Sequence, residues 1–345
     1  MVQTCVQGVE VRGMVSVVPT ELVDNHSLTH LFNPVELQRV IESTGIEQRR
    51  VAKSGQTVLS MATEGGAYLL KELDWDTPAG LVICVTQTPD YALPGNAIQL
   101  QHRLGLGKDT LAFDVNLGCS GFVYGLWQAA TLLSSLPCSR ALLVVGDTTS
   151  HMCGQGEQSR AVSPLFGDAV SVIALEKNPS AAPMHFSFGS DGAGAPYLIQ
   201  PNSAALRPGE LPALSMDGTQ VFVFTLREVP SSINAVLEAA AWDVKEPDAV
   251  VLHQANEMML KRLADKQGFT AEQMVIAMKY RGNTSSASIP LAITDTLDKQ
   301  LLTAPLKMIL SGFGVGWSWG SAAVTLGPLM VCKTLNFNSG DNSGS

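Results

Sequence analysis

The feature that most constrains this chain is a short apolar run that occurs at corresponding places in its two halves. Residues 81–85 and 249–252 are continuous apolar segments, and such segments are typical of strands buried on both faces of a parallel sheet. Each run is followed by a loop, a helical segment, a small-residue turn that opens a second helix, and a further apolar strand. This period is far longer than that of a solenoid, so the pattern predicts an α/β fold made of two duplicated halves.

Composition narrows the class of protein. A hydrophobic content of 46% and a charged content of 15% in 345 residues favour a large compact protein. The formal net charge of -9 argues against a nucleic-acid partner, which needs a basic surface. The six cysteines lack metal-site spacings, and no apolar run is long enough to span a bilayer. We therefore predict a cytoplasmic protein with reduced thiols, no metal site, no membrane partner and no nucleic-acid partner.

A candidate nucleophile lies in the first half, where a strand turns into a helix. Cys119 follows the strand-like residues 110–115 and precedes a helical run that starts at Phe122. The free N–H groups and the dipole of a helix start favour a thiolate, so this position predicts a lowered cysteine pKa. Gly118 and Gly121 suit a tight turn that leaves room for a substrate. The alternative is a buried, inert cysteine.

Two polar residues of the second half occupy equivalent positions. His253 follows the apolar run 249–252, and Asn283 lies in the small-residue turn that corresponds to the Cys119 turn. Taken singly, the histidine is explained as a structural residue and the asparagine as a turn residue. Taken together with Cys119, they suit chemistry on a thioester, because cysteine can carry an acyl group while two N–H donors stabilise an enolate.

The motifs around these residues resemble those of the β-ketoacyl-acyl-carrier-protein synthase III family of thiolase-fold condensing enzymes. They are Asn-Leu-Gly-Cys-Ser-Gly-Phe at 116–122, Phe-Gly-Asp at 166–168, His-Gln-Ala-Asn at 253–256, Gly-Asn-Thr-Ser-Ser-Ala-Ser at 282–288 and Gly-Trp-Ser-Trp-Gly-Ser at 316–321. The resemblance implies a thiolase-like αβαβα layered sandwich and a homodimer. Residues 1–176 would carry the cysteine, residues 177–333 the histidine and asparagine, and residues 334–345 a flexible tail.

The resemblance also implies a reaction. Cys119 takes an acyl group from an acyl-CoA primer, and malonyl-acyl-carrier protein or malonyl-CoA then loses carbon dioxide and attacks it, giving a β-ketoacyl thioester. His253 and Asn283 match the decarboxylation pair, and the main-chain N–H groups of Cys119 and Val315 match the oxyanion hole. No cofactor is implied, since CoA and acyl-carrier-protein thioesters are the substrates.

Several recognition positions depart from typical members of that family. Arg39 replaces a tryptophan that stacks on the CoA adenine, and Val223 and Met258 replace basic residues that dock the carrier protein. Arg39 could stack on the base or bind a phosphate, or it could be a solvated helix residue. The basic residues that remain on the helix after His253 could meet an acidic carrier protein or form a solvated face. They are Lys261, Arg262 and Lys266.

The expected primer pocket also departs from the family pattern. Leu93 occupies the place of an aromatic residue that closes the acyl pocket across the dimer interface in straight-chain members. Met152 and Phe166 are predicted to line the same tunnel, although apolar residues are also common in cores.

These departures favour a condensing enzyme of specialised metabolism. The same motifs would also be found in an acyltransferase, or in an enzyme that condenses acyl-Cys119 with a nucleophile other than malonate. An inactive subunit of a heterodimer would be expected to lack Cys119, His253 or Asn283, and all three are present.

Overall fold

The structure is a computed structural model that describes residues 1–201 and 213–338. The strands are β1 (Val2–Val6), β2 (Val9–Val18), β3 (Leu22–Asp24), β4 (Gln48–Arg50), β5 (Leu81–Val85), β6 (Leu111–Val115), β7 (Arg140–Asp147), β8 (Ala169–Lys177), β9 (Met184–Ser190), β10 (Leu198–Ile199), β11 (Ser215–Met216), β12 (Ala249–Leu252), β13 (Leu306–Gly314), β14 (Ser318–Leu326) and β15 (Val331–Asn336). The α-helices are α1 (Pro34–Thr44), α2 (Val58–Leu73), α3 (Asn96–Arg103), α4 (Gly121–Ser135), α5 (Gly218–Ala239), α6 (Glu257–Gln267), α7 (Ser288–Thr296) and α8 (Asp298–Leu301).

Two large sheets and three helix layers form the architecture. The first sheet has the order β15-β2-β8-β7-β5-β6 and the second the order β1-β9-β14-β13-β12. Helices α4 and α7 contact both sheets, α2 and α3 cover the outer face of the first sheet, and α5 lies on the outer face of the second with α6 against it. These layers confirm the predicted αβαβα sandwich.

The repeated apolar runs form corresponding strands, as predicted. β5 is buried throughout and lies between β6 and β7, parallel to both. β12 is likewise buried and runs parallel to β13. Both middle-layer helices are buried over most of their length, because sheets cover them on two sides. Their N-termini follow the two turns that contain Cys119 and Asn283.

The chain termini differ from the predicted pattern. A turn at Gly8, with φ +73°, separates β1 from β2, and the two strands join different sheets. β15 pairs in parallel with β2, so residues 334–336 are part of the first sheet and Phe337 is buried. The predicted tail therefore begins no earlier than residue 338, and residues 339–345 lie outside the described residues. The division at residues 176 and 177 stays a prediction.

Among the described residues, no helix combines the length and apolarity needed to cross a bilayer.

Candidate active site

Cys119 lies between β6 and α4, directly beneath the end of β13. Its side chain is buried, and a Cβ placed on Gly314 would come within 3.0 Å of the Cys119 sulfur. Only glycine therefore allows β13 to pass this close. The next residue, Val315, directs its main-chain N–H towards the sulfur, as does Cys119 itself. Ser318 holds this loop in place, because its hydroxyl donates to the Val315 carbonyl at 2.8 Å.

The predicted lowering of the cysteine pKa is wrong. Burial, and secondly the nearby Asp147 carboxylate, raise the pKa of Cys119 to about 12. The Ser285 hydroxyl and the N–H groups of Val315 and Cys119 oppose this rise without reversing it. Desolvation of the thiolate outweighs the favourable helix start, because the sulfur is enclosed by β13. The resting group is a thiol, so a nucleophilic role for Cys119 would require a proton acceptor.

His253 lies at the end of β12 and is buried in the second half. Its main-chain N–H donates to Ser311 O at 2.7 Å, and its Nδ1 lies 2.7 Å from Ser288 Oγ. The imidazole meets the Phe313 ring edge to face, with centroids 5.6 Å apart. Burial lowers the pKa of His253 to about 3, so the ring is neutral near pH 7.

Asn283 is oriented by the turn in which it lies. Its Oδ1 accepts the main-chain N–H of Ser285 at 3.0 Å, which leaves its NH₂ group to point away from this turn. The main chain of Asn283 pairs with the segment around Phe166, since its N–H donates to Leu165 O at 2.8 Å and its carbonyl accepts the Gly167 N–H at 3.0 Å. The main chain of Asn283 and its side-chain oxygen are therefore both held by hydrogen bonds.

The three residues line one cavity of about 290 Å³. It has an apolar wall that includes Phe166, Leu198, Met216, Val221, Met259 and Phe313. Cys119 also lines a second space of about 30 Å³, where the predicted pocket residues Met152 and Phe166 meet the Val315 side chain. Leu93, by contrast, is 82% exposed and lines neither space. The Cys119 sulfur thus borders both a wide cavity and a small space.

The predicted CoA and carrier-protein residues lie only partly together. A surface groove of about 510 Å³ between α1 and α6 contains Arg39, Lys261 and Arg262. Three acidic residues share it, Glu42, Glu257 and Asp265, and Lys261 forms an ion pair with Glu257 at 2.5 Å. Ser43 lines both this groove and the main cavity, so the two are adjacent. Lys266 lies outside the groove, because its Nζ donates to Leu226 O on α5 at 2.7 Å.

Sequence reasoning missed a group of polar residues behind the cavity. Asp147 is buried at the end of β7 and accepts a hydrogen bond from Ser286 Oγ at 3.0 Å. In the sequence, Asp147 could have been recognised as a carboxylate that follows the apolar residues 141–145. Ser285 and Ser288 were visible only as members of a small-residue turn. No group of His, Cys, Asp and Glu among the residues described is arranged to hold a metal ion.

Cys119, His253 and Asn283 thus line one cavity of a five-layer sandwich. This combination of fold and residues is that of the thiolase-fold condensing enzymes. Such enzymes are acyltransferases. Family models described as 3-oxoacyl-[acyl-carrier-protein] synthase III and its C-terminal part match residues 113–192 and 237–326. The chain belongs to the β-ketoacyl-acyl-carrier-protein synthase III family.

The similarity extends over nearly the whole chain. A β-ketoacyl-acyl-carrier-protein synthase III of Streptomyces coelicolor is 33% identical over 92% of this chain and 93% of its own length. The structure of a 3-oxoacyl-acyl-carrier-protein synthase from Burkholderia xenovorans is 39% identical, with a TM-score of 0.92 over 97% of this chain and 99% of that one. The priming β-ketosynthase of a polyketide pathway is 26% identical, with a TM-score of 0.82 over 93% of this chain and 97% of that one.

Proposed function

We propose that Cys119 is acylated by an acyl-CoA and that the acyl group then condenses with malonyl-acyl-carrier protein or malonyl-CoA to give a β-ketoacyl thioester. The observation that carries this proposal is the single cavity lined by Cys119, His253 and Asn283. The small space beside the sulfur has room for only a short acyl group, and the wider cavity suits the incoming thioester.

Acylation uses the two main-chain N–H groups that face the sulfur. A thioester carbonyl attacked by Cys119 develops negative charge on oxygen, and the N–H groups of Cys119 and Val315 are placed to donate to it. These donors are fixed by the fold, so they need no reorganisation when the charge appears. The bond between the Cys119 sulfur and the acyl carbon forms, and the bond to the CoA sulfur breaks.

Decarboxylation uses the donors of the second half. Loss of carbon dioxide leaves an enolate on the malonyl thioester, and an Nε2–H of His253 and the NH₂ of Asn283 stabilise its oxygen. Ser288 Oγ accepts the main-chain N–H of Gln254 at 3.3 Å, so its own hydrogen is available to His253 Nδ1. This arrangement supports the tautomer that carries its proton on Nε2.

The surroundings of the site support the proposed partners. The groove around Arg39, Lys261 and Arg262 adjoins the cavity and offers cations to a CoA phosphate or a carrier protein. The exposed side chains of Leu93 and Leu111 lie at or near the edge of the first sheet and support a homodimer formed there. No cofactor takes part in this scheme, and we assign the enzyme to the cytoplasm.

The departures at Arg39 and Leu93 support a role in specialised metabolism. The groove has as many acidic as basic residues, so it provides little net attraction for an acidic carrier protein. This charge balance favours, as a second candidate, a reaction in which acyl-Cys119 is transferred to or condensed with a nucleophile other than malonyl-carrier protein.

The test is intact-protein mass spectrometry after incubation with short, branched, long and dicarboxylic acyl-CoAs. We expect a mass gain of one acyl group with a subset of them, which identifies the primer. Cys119→Ala should abolish the gain, whereas Cys153→Ala, which removes another buried cysteine, should retain it. A gain that persists in Cys119→Ala would contradict the proposal.

A further inference from the structure

A buried carboxylate behind the nucleophile has no role in the scheme above. Asp147 is 1% exposed, and its Oδ1 accepts the Gln87 main-chain N–H at 2.6 Å and Thr86 Oγ1 at 3.1 Å. Its Oδ2 accepts Ser286 Oγ from the second half at 3.0 Å. No lysine, arginine or histidine in the described part of the chain forms an ion pair with it. An ionised carboxylate buried without a cation is costly, and such groups concentrate at functional sites.

Ser285 connects this carboxylate to the nucleophile. Ser285 lines the small space beside the Cys119 sulfur, and the adjacent Ser286 donates to Asp147 at 3.0 Å. The Ser285 hydroxyl lowers the pKa of both Cys119 and Asp147, opposing the effect of burial. The residue adopts φ +51°, the left-handed region that non-glycine residues rarely occupy. Asn283 Oδ1 stabilises that conformation by accepting the Ser285 main-chain N–H. The turn therefore holds a hydroxyl between a thiol and a carboxylate.

We propose that Asp147 accepts the thiol proton of Cys119 through the Ser285 hydroxyl during acylation. This inference rests on the proposed function. The S–H proton passes to Ser285 Oγ while the Ser285 O–H proton passes to Asp147, and the thiolate attacks the thioester carbonyl. When the bond to the CoA sulfur breaks, the reverse transfer gives that sulfur its proton. Cys119 and Ser285 are the groups at the reaction, and Asp147 acts through Ser285 as a positioning residue.

Charge conservation favours this route. Ionising the Cys119 thiol into solvent would place a second negative charge beside the Asp147 carboxylate in a buried site. Transfer within the pair moves one charge from carboxylate to sulfur and adds none. Burial raises the pKa of Asp147, which makes it a stronger acceptor, whereas burial lowers the pKa of His253 to about 3. The imidazole is therefore the weaker base of the two.

Among the described residues, one further titratable group faces Asp147, the Cys84 thiol on the neighbouring strand β5. Burial raises the pKa of Cys84 well above its usual value, and the Asp114, Asp147 and Asp90 carboxylates add to that rise. Cys84 therefore stays neutral and does not compete for the proton. The other groups around Asp147 are hydroxyls and a main-chain N–H, which do not titrate near pH 7.

The test is the pH dependence of Cys119 alkylation by iodoacetamide in the wild type and in Asp147→Asn. Proton transfer through Ser285 predicts that the alkylation rate of the wild type does not change between the pKa of Asp147 and neutral pH. Asp147→Asn should instead lose about tenfold in rate for each pH unit lowered. It should react more slowly than the wild type at about pH 6 and faster at about pH 10, because the neighbouring negative charge is gone. General structural damage would lower the rate at every pH, so the crossing separates the two effects.

Two serine variants keep the test decisive. Ser285→Ala removes the hydroxyl that would pass the proton, so its alkylation rate should fall with pH as in Asp147→Asn. This variant provides the test if Asp147→Asn does not fold. Ser286→Ala removes another donor to the same carboxylate and should retain the flat profile. A flat profile in both Asp147→Asn and Ser285→Ala would overturn the proposal. Iodoacetamide needs no substrate recognition, so this result stands apart from failure of the acyl-CoA panel.

Discussion

At the scale of single residues, burial sets the protonation state of both reacting groups. Cys119 is held as a thiol with a pKa of about 12, and His253 is held neutral with a pKa of about 3. A neutral imidazole can donate to an enolate without carrying a charge into the cavity. The same burial makes it a poor base towards the thiol, so we assign the two half-reactions to different proton-handling groups.

This division predicts the pH dependence of the condensing step. With pre-acylated enzyme and a malonyl thioester, the rate should show no inflection near pH 6.5, the usual pKa of histidine. His253 gains its proton only as the pH falls towards 3, so the rate should stay level from about pH 5 to about pH 8. Single-turnover measurements across this range test it. A tenfold fall centred near pH 6.5 would contradict the neutral-donor assignment.

At the scale of elements, β6 is an open edge of the first sheet. It pairs with β5, and no other strand among the described residues lies beyond it. Leu111 begins this strand and is 44% exposed, and Ile98 on the adjacent α3 is 53% exposed. An exposed apolar edge strand is a natural site for pairing with a second copy. Such pairing would also cover Leu93 and direct it towards the partner.

This edge predicts the outcome of a charge substitution. Leu111→Glu should weaken the proposed dimer by at least about a hundredfold, because the carboxylate would be buried without a partner in its interface. Sedimentation velocity over a dilution series measures it. Leu302→Glu introduces the same charge at a 43% exposed site after α8 and should leave the dimer intact. Equal behaviour of the two variants would place the interface elsewhere.

At the scale of the whole molecule, the site exists because the two halves face each other. The first half supplies Cys119 and Asp147, and the second supplies His253, Asn283 and Val315. Ser286 Oγ to Asp147 at 3.0 Å and Ser120 Oγ to Ser318 Oγ at 2.7 Å are bonds between the halves. The arrangement proposed to be catalytic therefore depends on how the two sheets pack on α4 and α7.

Much of this architecture could be predicted from the sequence, because it depends on local pattern. The apolar runs of β5 and β12 and the turns at Cys119 and Asn283 are contiguous signals. The pairing of β15 with β2 joins Val331 to Gly13, and no local pattern indicates it. The pKa of Cys119 also depends on a contact between segments that are distant in the sequence, and its predicted lowering was therefore wrong. The helix start is visible in the sequence, whereas the passage of β13 over the sulfur is not.

If acylation and decarboxylation depend on different residues, sequential mass spectrometry will separate the two half-reactions. Enzyme is first acylated with an acyl-CoA that labels the wild type and is then mixed with a malonyl thioester. The wild type should gain the acyl mass and lose it as a β-ketoacyl product forms, and Cys119→Ala should gain none. His253→Ala and Asn283→Ala should gain the acyl mass and release it at least about a hundredfold more slowly. Failure of acylation in all three variants alike would contradict the account.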